Sequence, residues 1–173
     1  TSGSTGQPKG VMIEHNNVVN ILTALENKYP LGESDAYLLK TTYTFDVSVT
    51  EIFGWFFGQG KLVILKPNGE KEPGTIVDTI DKYDVTHLNF VPSMLNILLN
   101  TLDETEIEIL NKLKYLFVAG EAISNDLVKK FYRLIPEVTF ENIYGPTEST
   151  IYATSYSLEK LEDEVNVPIG KAL

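Results

Sequence analysis

Residues Thr1-Ser-Gly-Ser-Thr-Gly-Gln-Pro-Lys-Gly10 place three glycines, four hydroxyls and one lysine in ten positions with no apolar side chain. That composition suits phosphate. Gly3, Gly6 and Gly10 let the backbone approach an anion closely, Thr1, Ser2, Ser4 and Thr5 bring hydroxyl donors, and Lys9 brings a point charge. A Walker A loop needs G-x-x-x-x-G-K-[ST], whereas here Pro8 follows Gly3 by five and Gly10 follows Lys9. Composition alone fits a solvated Gly/Ser linker equally well. The Pro-Lys-Gly ending that runs straight into Val11-Met-Ile13 favours a built loop. Three further stretches carry chemistry-bearing residues: Phe45-Asp46-Val-Ser48, Val118-Ala-Gly-Glu121 and Asn142-Ile-Tyr-Gly-Pro-Thr-Glu148.

The elements that must hold these stretches alternate between short β-rich runs and amphipathic helices, which predicts an α/β fold with a mostly parallel sheet flanked by helices. Asn16 or Asn17 caps a helix through about Asn27, with Val18, Ile21, Leu22 and Leu25 on one face. Strands are expected at 36–41, 61–65, 86–91, 113–119, 138–144 and 151–158. A second helix begins at Asp46, carries Val49, Phe53, Phe56 and Phe57 as a core stripe, and stops at Gly58-Gln-Gly60. Further helices cover 74–83, 92–99 behind Pro92, and a stretch capped by Ser124. Residues 103–108 read as an acidic, solvated loop. No linker splits residues 1–173, so the chain is expected to form a single α/β subdomain.

In an open parallel sheet, ligands bind beyond the carboxyl ends of the strands. The expected strand ends at Thr41, Val91, Ala119 and Tyr144 therefore bring the motifs to one edge. Each motif taken singly also fits an ordinary turn.

The four motifs together resemble the adenylate-forming enzymes, the superfamily of acyl-CoA ligases, luciferases and the adenylation domains of nonribosomal peptide synthetases. They occur in that superfamily's order from the first residue to about position 152, and Val167-Pro-Ile-Gly170 is also similar. The resemblance implies a flavodoxin-like subdomain of the adenylate-forming fold. It further implies a piece of a larger adenylation domain whose C-terminal lid, with its catalytic lysine, is absent, so that the isolated chain would not turn over.

By that resemblance the opening loop docks the leaving pyrophosphate through Thr1, Ser2, Gly3, Ser4, Thr5, Gly6 and Lys9. Gly120, Glu121, Ala122 and Asn142 line the adenine, and Tyr144 stacks on it. Glu121 also fits an exposed helix-start glutamate whose backbone matters more than its carboxylate. Gly145 and Pro146 turn the chain, Thr147 offers a hydroxyl to phosphate, and Glu148 is a hard ligand for Mg²⁺. Lys9, Thr147 and Glu148 are then the catalytic set, lowering the barrier by positioning and charge neutralisation without a protein nucleophile.

Asp46 separates branches of the superfamily. A carboxylate at the mouth of an apolar pocket is costly unless paired, and the α-ammonium of an amino acid is a natural partner. The alternative is a helix cap for the segment starting at Val47. Carried over with Asp46 as pocket positions are Val47, Thr50, Asn89, Phe117, Ala119, Ile143, Gly145, Ile151 and Tyr152. Their largely apolar character implies a small or medium neutral side chain. For Phe117, Ile143 and Ile151 plain strand core is an equal alternative.

Composition agrees with a cytoplasmic enzyme. The formal net charge of -10 argues against nucleic-acid and anionic-membrane partners. The absence of cysteine excludes disulfides, thiolate metal sites and a cysteine nucleophile. The apolar run Ile52-Phe-Gly-Trp-Phe-Phe-Gly58 is far shorter than the roughly 20 residues that span a bilayer. His15 and His87 read as structural, with no zinc-ligand spacing around either. The implied function is ATP-dependent activation of an amino acid for transfer to the phosphopantetheine thiol of a carrier protein. An acyl- or aryl-CoA ligase and a non-catalytic nucleotide-binding module are the rival functions.

Overall fold

Burial is nearly continuous along the central strands, as expected where side chains alternate between two faces and helices cover both. In the computed structural model, which describes residues 6, 9–161 and 166–173, the strands are β1 (Ala36–Leu39), β2 (Lys61–Ile64), β3 (His87–Phe90), β4 (Tyr115–Val118), β5 (Thr139–Tyr144), β6 (Thr154–Ser157) and β7 (Lys171–Ala172). They form one sheet in the order β2-β1-β3-β4-β5-β6-β7. The first five strands are parallel, and β6 and β7 add antiparallel at one edge. The parallel part has the flavodoxin-like strand order, with its switch point between β1 and β3.

The helices are α1 (His15–Lys28), α2 (Val47–Phe53), α3 (Pro73–Tyr83), α4 (Pro92–Thr101), α5 (Glu104–Leu110) and α6 (Asn125–Leu134). Leu88, Phe90, Leu116, Val118 and Phe140 point to one core, shared with the apolar faces of α3, α4, α5 and α6. Alternate residues of the same strands, Phe117 and Ile143 among them, point to a second core under α1 and α2. Strand alternation thus delivers Tyr37, His87, Asn89, Phe117 and Ile143 to the face that α2 covers.

Several elements differ from the sequence reading. The acidic stretch 103–108 is largely helix α5. Asp103 Oδ1 accepts from the Glu106 backbone N–H at 2.9 Å while the Glu106 side chain accepts from the Asp103 N–H at 2.9 Å, and Leu110 is fully buried. Helix α1 starts at His15, two residues before Asn17, which sits at its third position and accepts the Glu14 backbone N–H at 2.9 Å. The strand expected from 151 begins only at Thr154, because Thr150 and Ile151 both have positive φ (65° and 71°). Helix α2 gives way to a 3-10 turn at Gly54–Phe56.

The stripe of Phe53, Phe56 and Phe57 is exposed, not core. The buried face of α2 carries Ser48, Thr50 and Glu51 instead. Their polar atoms are hydrogen-bonded within α2, to the segment before it or to β3, which is what makes a polar helix face tolerable against the sheet.

His87 lies in the second core between Tyr37, Tyr115 and Phe117, with Nδ1 at 2.8 Å from the Thr86 hydroxyl. Burial pushes its pKa down to about 4. An unfolded histidine titrates near 6.5, so between those values the unfolded chain takes up a proton that the folded chain refuses. Its contribution is therefore complete above about pH 6.5 and is lost as the pH falls towards 4, about 3 kcal/mol in total. Denaturant titrations at pH 7 and pH 5 should show a steeper acid-side loss in the native protein than in His87→Leu, by about 1 kcal/mol per pH unit. Equal losses in both would contradict this.

Candidate active site

Beyond the carboxyl ends of β4 and β5 lies an open cavity of about 740 Å³. Gly120, Glu121 and Ala122, which leave β4, form one wall, and Asn142, Tyr144 and Gly145 of β5 and its exit form the other. All six were expected around a nucleotide. Its volume lies within the range usual for small-molecule sites. The cavity also uses Ser124, Val167 and Ile169, which sequence reasoning did not assign; only the family-like Val167-Pro-Ile-Gly170 pointed that way.

Local structure explains how these walls are held. Gly120 adopts a positive φ of 86°, which a residue with a side chain rarely takes, and so permits the turn off β4. The Glu121 carboxylate does not point at the cavity's contents. Its oxygens accept from the backbone N–H and hydroxyl of Ser93, each at 3.0 Å, at the N-terminus of α4. A carboxylate in that place also suits the positive end of the helix dipole. Glu121 is thus not the helix-start residue of α6, whose cap is Ser124, with its hydroxyl accepting the Leu127 N–H at 3.3 Å.

Asn142 donates from Nδ2 to the Pro168 carbonyl at 2.9 Å, which orients its carbonyl oxygen. Tyr144 is 46% exposed at the strand end, with a ring face open to a ligand. Gly145 is required by close approach: a Cβ there would sit 2.5 Å from the Ile151 carbonyl oxygen and the Tyr152 Cα. Gly145 therefore serves chain crossing at least as much as turning. The same crossing holds Thr150 and Ile151 in left-handed conformations, an expensive arrangement for a β-branched residue.

A second cavity of about 270 Å³ adjoins the start of α2, between Asp46, Val49, Thr147, Thr150, Ile151 and His15. Asp46 occupies the N-cap position of α2 in a helical conformation, yet its side chain makes no cap hydrogen bond. Its Oδ2 is buried with no hydrogen-bond partner among the described residues. The helix-cap alternative therefore lacks the bond that defines it. An unpaired buried carboxylate oxygen is a costly feature that a cationic group would relieve.

Of the remaining pocket positions, Ile151 shares the cavity of Asp46, while Thr50, Phe117, Ile143 and Tyr152 line a separate small void beneath α1 and α2. Phe117, Ala119, Ile143, Ile151 and Tyr152 pack as one buried group with Val47 against it. Thr50 is fully buried, its hydroxyl donating to the Val47 carbonyl at 2.8 Å. Asn89 donates from Nδ2 to the Tyr37 hydroxyl at 3.0 Å and to Glu51 Oε1 at 3.3 Å. Burial, with Tyr37, Glu51 and Asp46 nearby, raises the Tyr152 phenol well above its ordinary range. It therefore stays a neutral hydroxyl.

Glu51 is the residue that sequence reasoning missed. It is 0% exposed, and its Oε2 accepts from the backbone N–H groups of Lys40 at 3.0 Å and Thr41 at 2.8 Å. Its Oε1 accepts from the Thr41 hydroxyl at 2.7 Å. One carboxylate thus ties α2 to the chain leaving β1, on either side of the loop that carries Asp46. The available signal was its spacing, one turn after Val47 on the face of α2 that meets the sheet.

Thr147 lines the second cavity, and the exposed Glu148 stands beside it in the 3-10 turn Thr147–Ser149. The Glu148 carboxylate is engaged by no hydrogen bond or ion pair among the described residues. Gly6 and Lys9 are exposed and line neither cavity. Thr1, Ser2, Gly3, Ser4 and Thr5 lie outside the described residues.

Comparison with known proteins bears on this geometry. The family described as AMP-binding enzyme matches residues 1–173. The chain is 60% identical over 173 residues to a linear gramicidin synthase of Brevibacillus parabrevis, covering 100% of this chain and 3% of that protein. It is 53% identical to polyketide synthase PksN of Bacillus subtilis (strain 168), covering 99% of this chain and 3% of that one. The chain thus spans a small part of the curated relatives it matches. Among solved structures, the Vibrio cholerae adenylation domain AlmE in complex with glycyl-adenosine-5'-phosphate superposes with a TM-score of 0.85 at 27% identity, covering 99% of this chain and 32% of that one. The nonribosomal peptide synthetase FmoA3, in its α-methyl-L-serine-AMP bound form, superposes with a TM-score of 0.86 at 25% identity, covering 96% of this chain and 19% of that one.

Removing the Glu51 carboxylate would leave two backbone N–H groups, a hydroxyl and an amide short of an acceptor. Glu51→Ala should cost about 3 kcal/mol in a denaturant titration. Glu51→Gln, which keeps an acceptor oxygen, should cost less. A loss below about 1 kcal/mol for the alanine variant would show that the loop is held by something else.

Proposed function

This chain belongs to the AMP-binding enzyme family, and from that premise we propose that it is part of a larger adenylation domain that activates an amino acid with ATP. A substrate carboxylate oxygen attacks the α-phosphorus, the bond from that phosphorus to the bridging oxygen breaks, and pyrophosphate leaves with the electron pair. The product is an aminoacyl-adenylate. The observation that carries the amino-acid reading is Asp46 in the wall of the second cavity, with a carboxylate oxygen that no described residue hydrogen-bonds. The α-ammonium of an amino acid supplies the missing partner, and fatty and aryl acids do not. Two similar structures, one holding glycyl-adenosine-5'-phosphate and one α-methyl-L-serine-AMP, support the same class of intermediate.

Each residue then has a physical task. Adenine lies in the larger cavity, stacked on Tyr144, with the Asn142 carbonyl accepting from its exocyclic amine and the Gly120-Glu121-Ala122 backbone along its edge. Glu121 holds that backbone in place through α4 instead of touching the base. Thr147 donates its hydroxyl to a phosphate oxygen. Glu148 would hold Mg²⁺, which when bound would supply charge neutralisation on the phosphates. Lys9 and the opening loop's glycines and hydroxyls receive the leaving pyrophosphate. Water is kept from the mixed anhydride by the apolar wall of Ile143, Ile151 and Tyr152.

The acyl group is handed to the phosphopantetheine thiol of a carrier domain in the same synthetase, an assignment supported by the large synthases among the relatives. No helix among the described residues is long and apolar enough to cross a membrane, and a cytoplasmic setting fits that.

ATP–pyrophosphate exchange by the intact protein, screened over amino acids with medium-chain fatty and aryl acids as controls, tests the reading. Exchange should depend on an amino acid, and Asp46→Ala should lower it at least ~100-fold while leaving ATP binding unchanged. Exchange driven only by acids without an amino group, or full activity in Asp46→Ala, would move the protein to the ligase branch.

A further inference from the structure

We infer that the activated amino acid carries a side chain no larger than one methyl group, an inference that rests on the amino-acid reading above. The three heavy substituents on its Cα have separate destinations. The ammonium goes to Asp46, and the carboxylate must face the nucleotide along the Thr147 side. The side chain is left to point inward, past Thr50 and towards Phe117, Ile143 and Tyr152. Thr50 lies one helical turn beyond Asp46 on the same face of α2, so it is the first wall the side chain meets.

Behind that wall there is almost no space. The void among Tyr29, Tyr37, Thr50, Phe117, Ile143 and Tyr152 is about 20 Å³. That is about the volume swept by a single water-sized probe, room for a methyl group and not for a branched chain. The vestibule beside Asp46, by contrast, is about 270 Å³. The head of an amino acid is accommodated while its tail is not.

The walls cannot easily retreat. The Phe117 ring packs edge-on against Tyr29 at 5.0 Å and stacks in parallel with Tyr115 at 6.0 Å. Tyr37 is fixed by the hydrogen bond from Asn89, which itself is tied to Glu51. Forcing one extra methylene into such a packed group strains rings and backbone together. The cost repeats for each further carbon.

The test is the rate of amino-acid-dependent ATP–pyrophosphate exchange by the intact protein across glycine, alanine, 2-aminobutyrate, valine, leucine and phenylalanine. The highest kcat/KM is expected with glycine or alanine. A fall of at least ~10-fold should follow at 2-aminobutyrate, with nothing measurable for leucine or phenylalanine. A maximum at valine, leucine or phenylalanine would overturn the size limit while leaving the amino-acid reading intact. Exchange with none of the amino acids, alongside exchange with a fatty or aryl acid, would overturn the amino-acid reading and the size limit with it. Phe117→Val opens the wall directly and should shift the preference towards 2-aminobutyrate and valine. An unshifted preference in a variant that still exchanges with alanine would show that Phe117 does not set the limit.

Discussion

A parallel sheet sends the chain out of every strand at the same edge, but it does not say where the loops go once they leave. At this edge the deciding contact is the buried carboxylate of Glu51, which accepts the Lys40 and Thr41 N–H groups and the Thr41 hydroxyl as the chain leaves β1. The same carboxylate reaches β3 through Asn89, and Asn89 reaches Tyr37. Helix α2, β1 and β3 are therefore locked together at the switch point of the sheet. Asp46 sits at the start of that helix, so its carboxylate is aimed by a contact made on the far side of the loop. A buried charge is tolerable for Glu51 because four donors surround it.

Asp46 presents the opposite case, and the contrast is informative. One carboxylate on α2 is saturated with donors, while the other keeps a buried oxygen without one. Native structures leave few such groups, and each calls for a physical reason. The strained pair Thr150 and Ile151 flanks the same cavity, pressed there by the crossing against Gly145. An unpaired carboxylate oxygen and two left-handed β-branched residues thus meet at one cavity. Glu121 follows the rule as well, spending its carboxylate on the end of α4 so that its backbone can line the larger cavity.

The strand-and-helix alternation and the convergence of the three motifs that follow β1, β4 and β5 at one edge were legible in the sequence, because both follow from periodicity and from where parallel strands end. Asp46 was legible as a residue but not as a role. A helix cap and an ammonium partner put aspartate at the same position, and only the missing cap bond separates them. Glu51 and α5 both turn on acidic side chains: residues 103–108 were read as a solvated loop, and Glu51 was given no role. Glu51 is instead buried by its donors, and Asp103 with Glu106 closes a capping box that starts a helix. The stripe of Phe53, Phe56 and Phe57 failed in the other direction. Its helical spacing implied burial, yet the face that meets the sheet is the polar one. The short edge strand β7 has two residues, too few for any periodic signal.

The claim that Asp46 exists to hold an α-ammonium is tested most directly by a double-mutant cycle on binding. Stable sulfamoyl analogues of the acyl-adenylate, one with the α-amino group and one without it, would be titrated calorimetrically into the intact protein and into Asp46→Ala. If the carboxylate holds the ammonium, loss of the amino group weakens binding to the native protein at least ~100-fold, about 2.7 kcal/mol, and binding to the variant less than ~3-fold. Equal losses in both proteins would contradict it, because the ammonium would then be recognised by something other than this carboxylate.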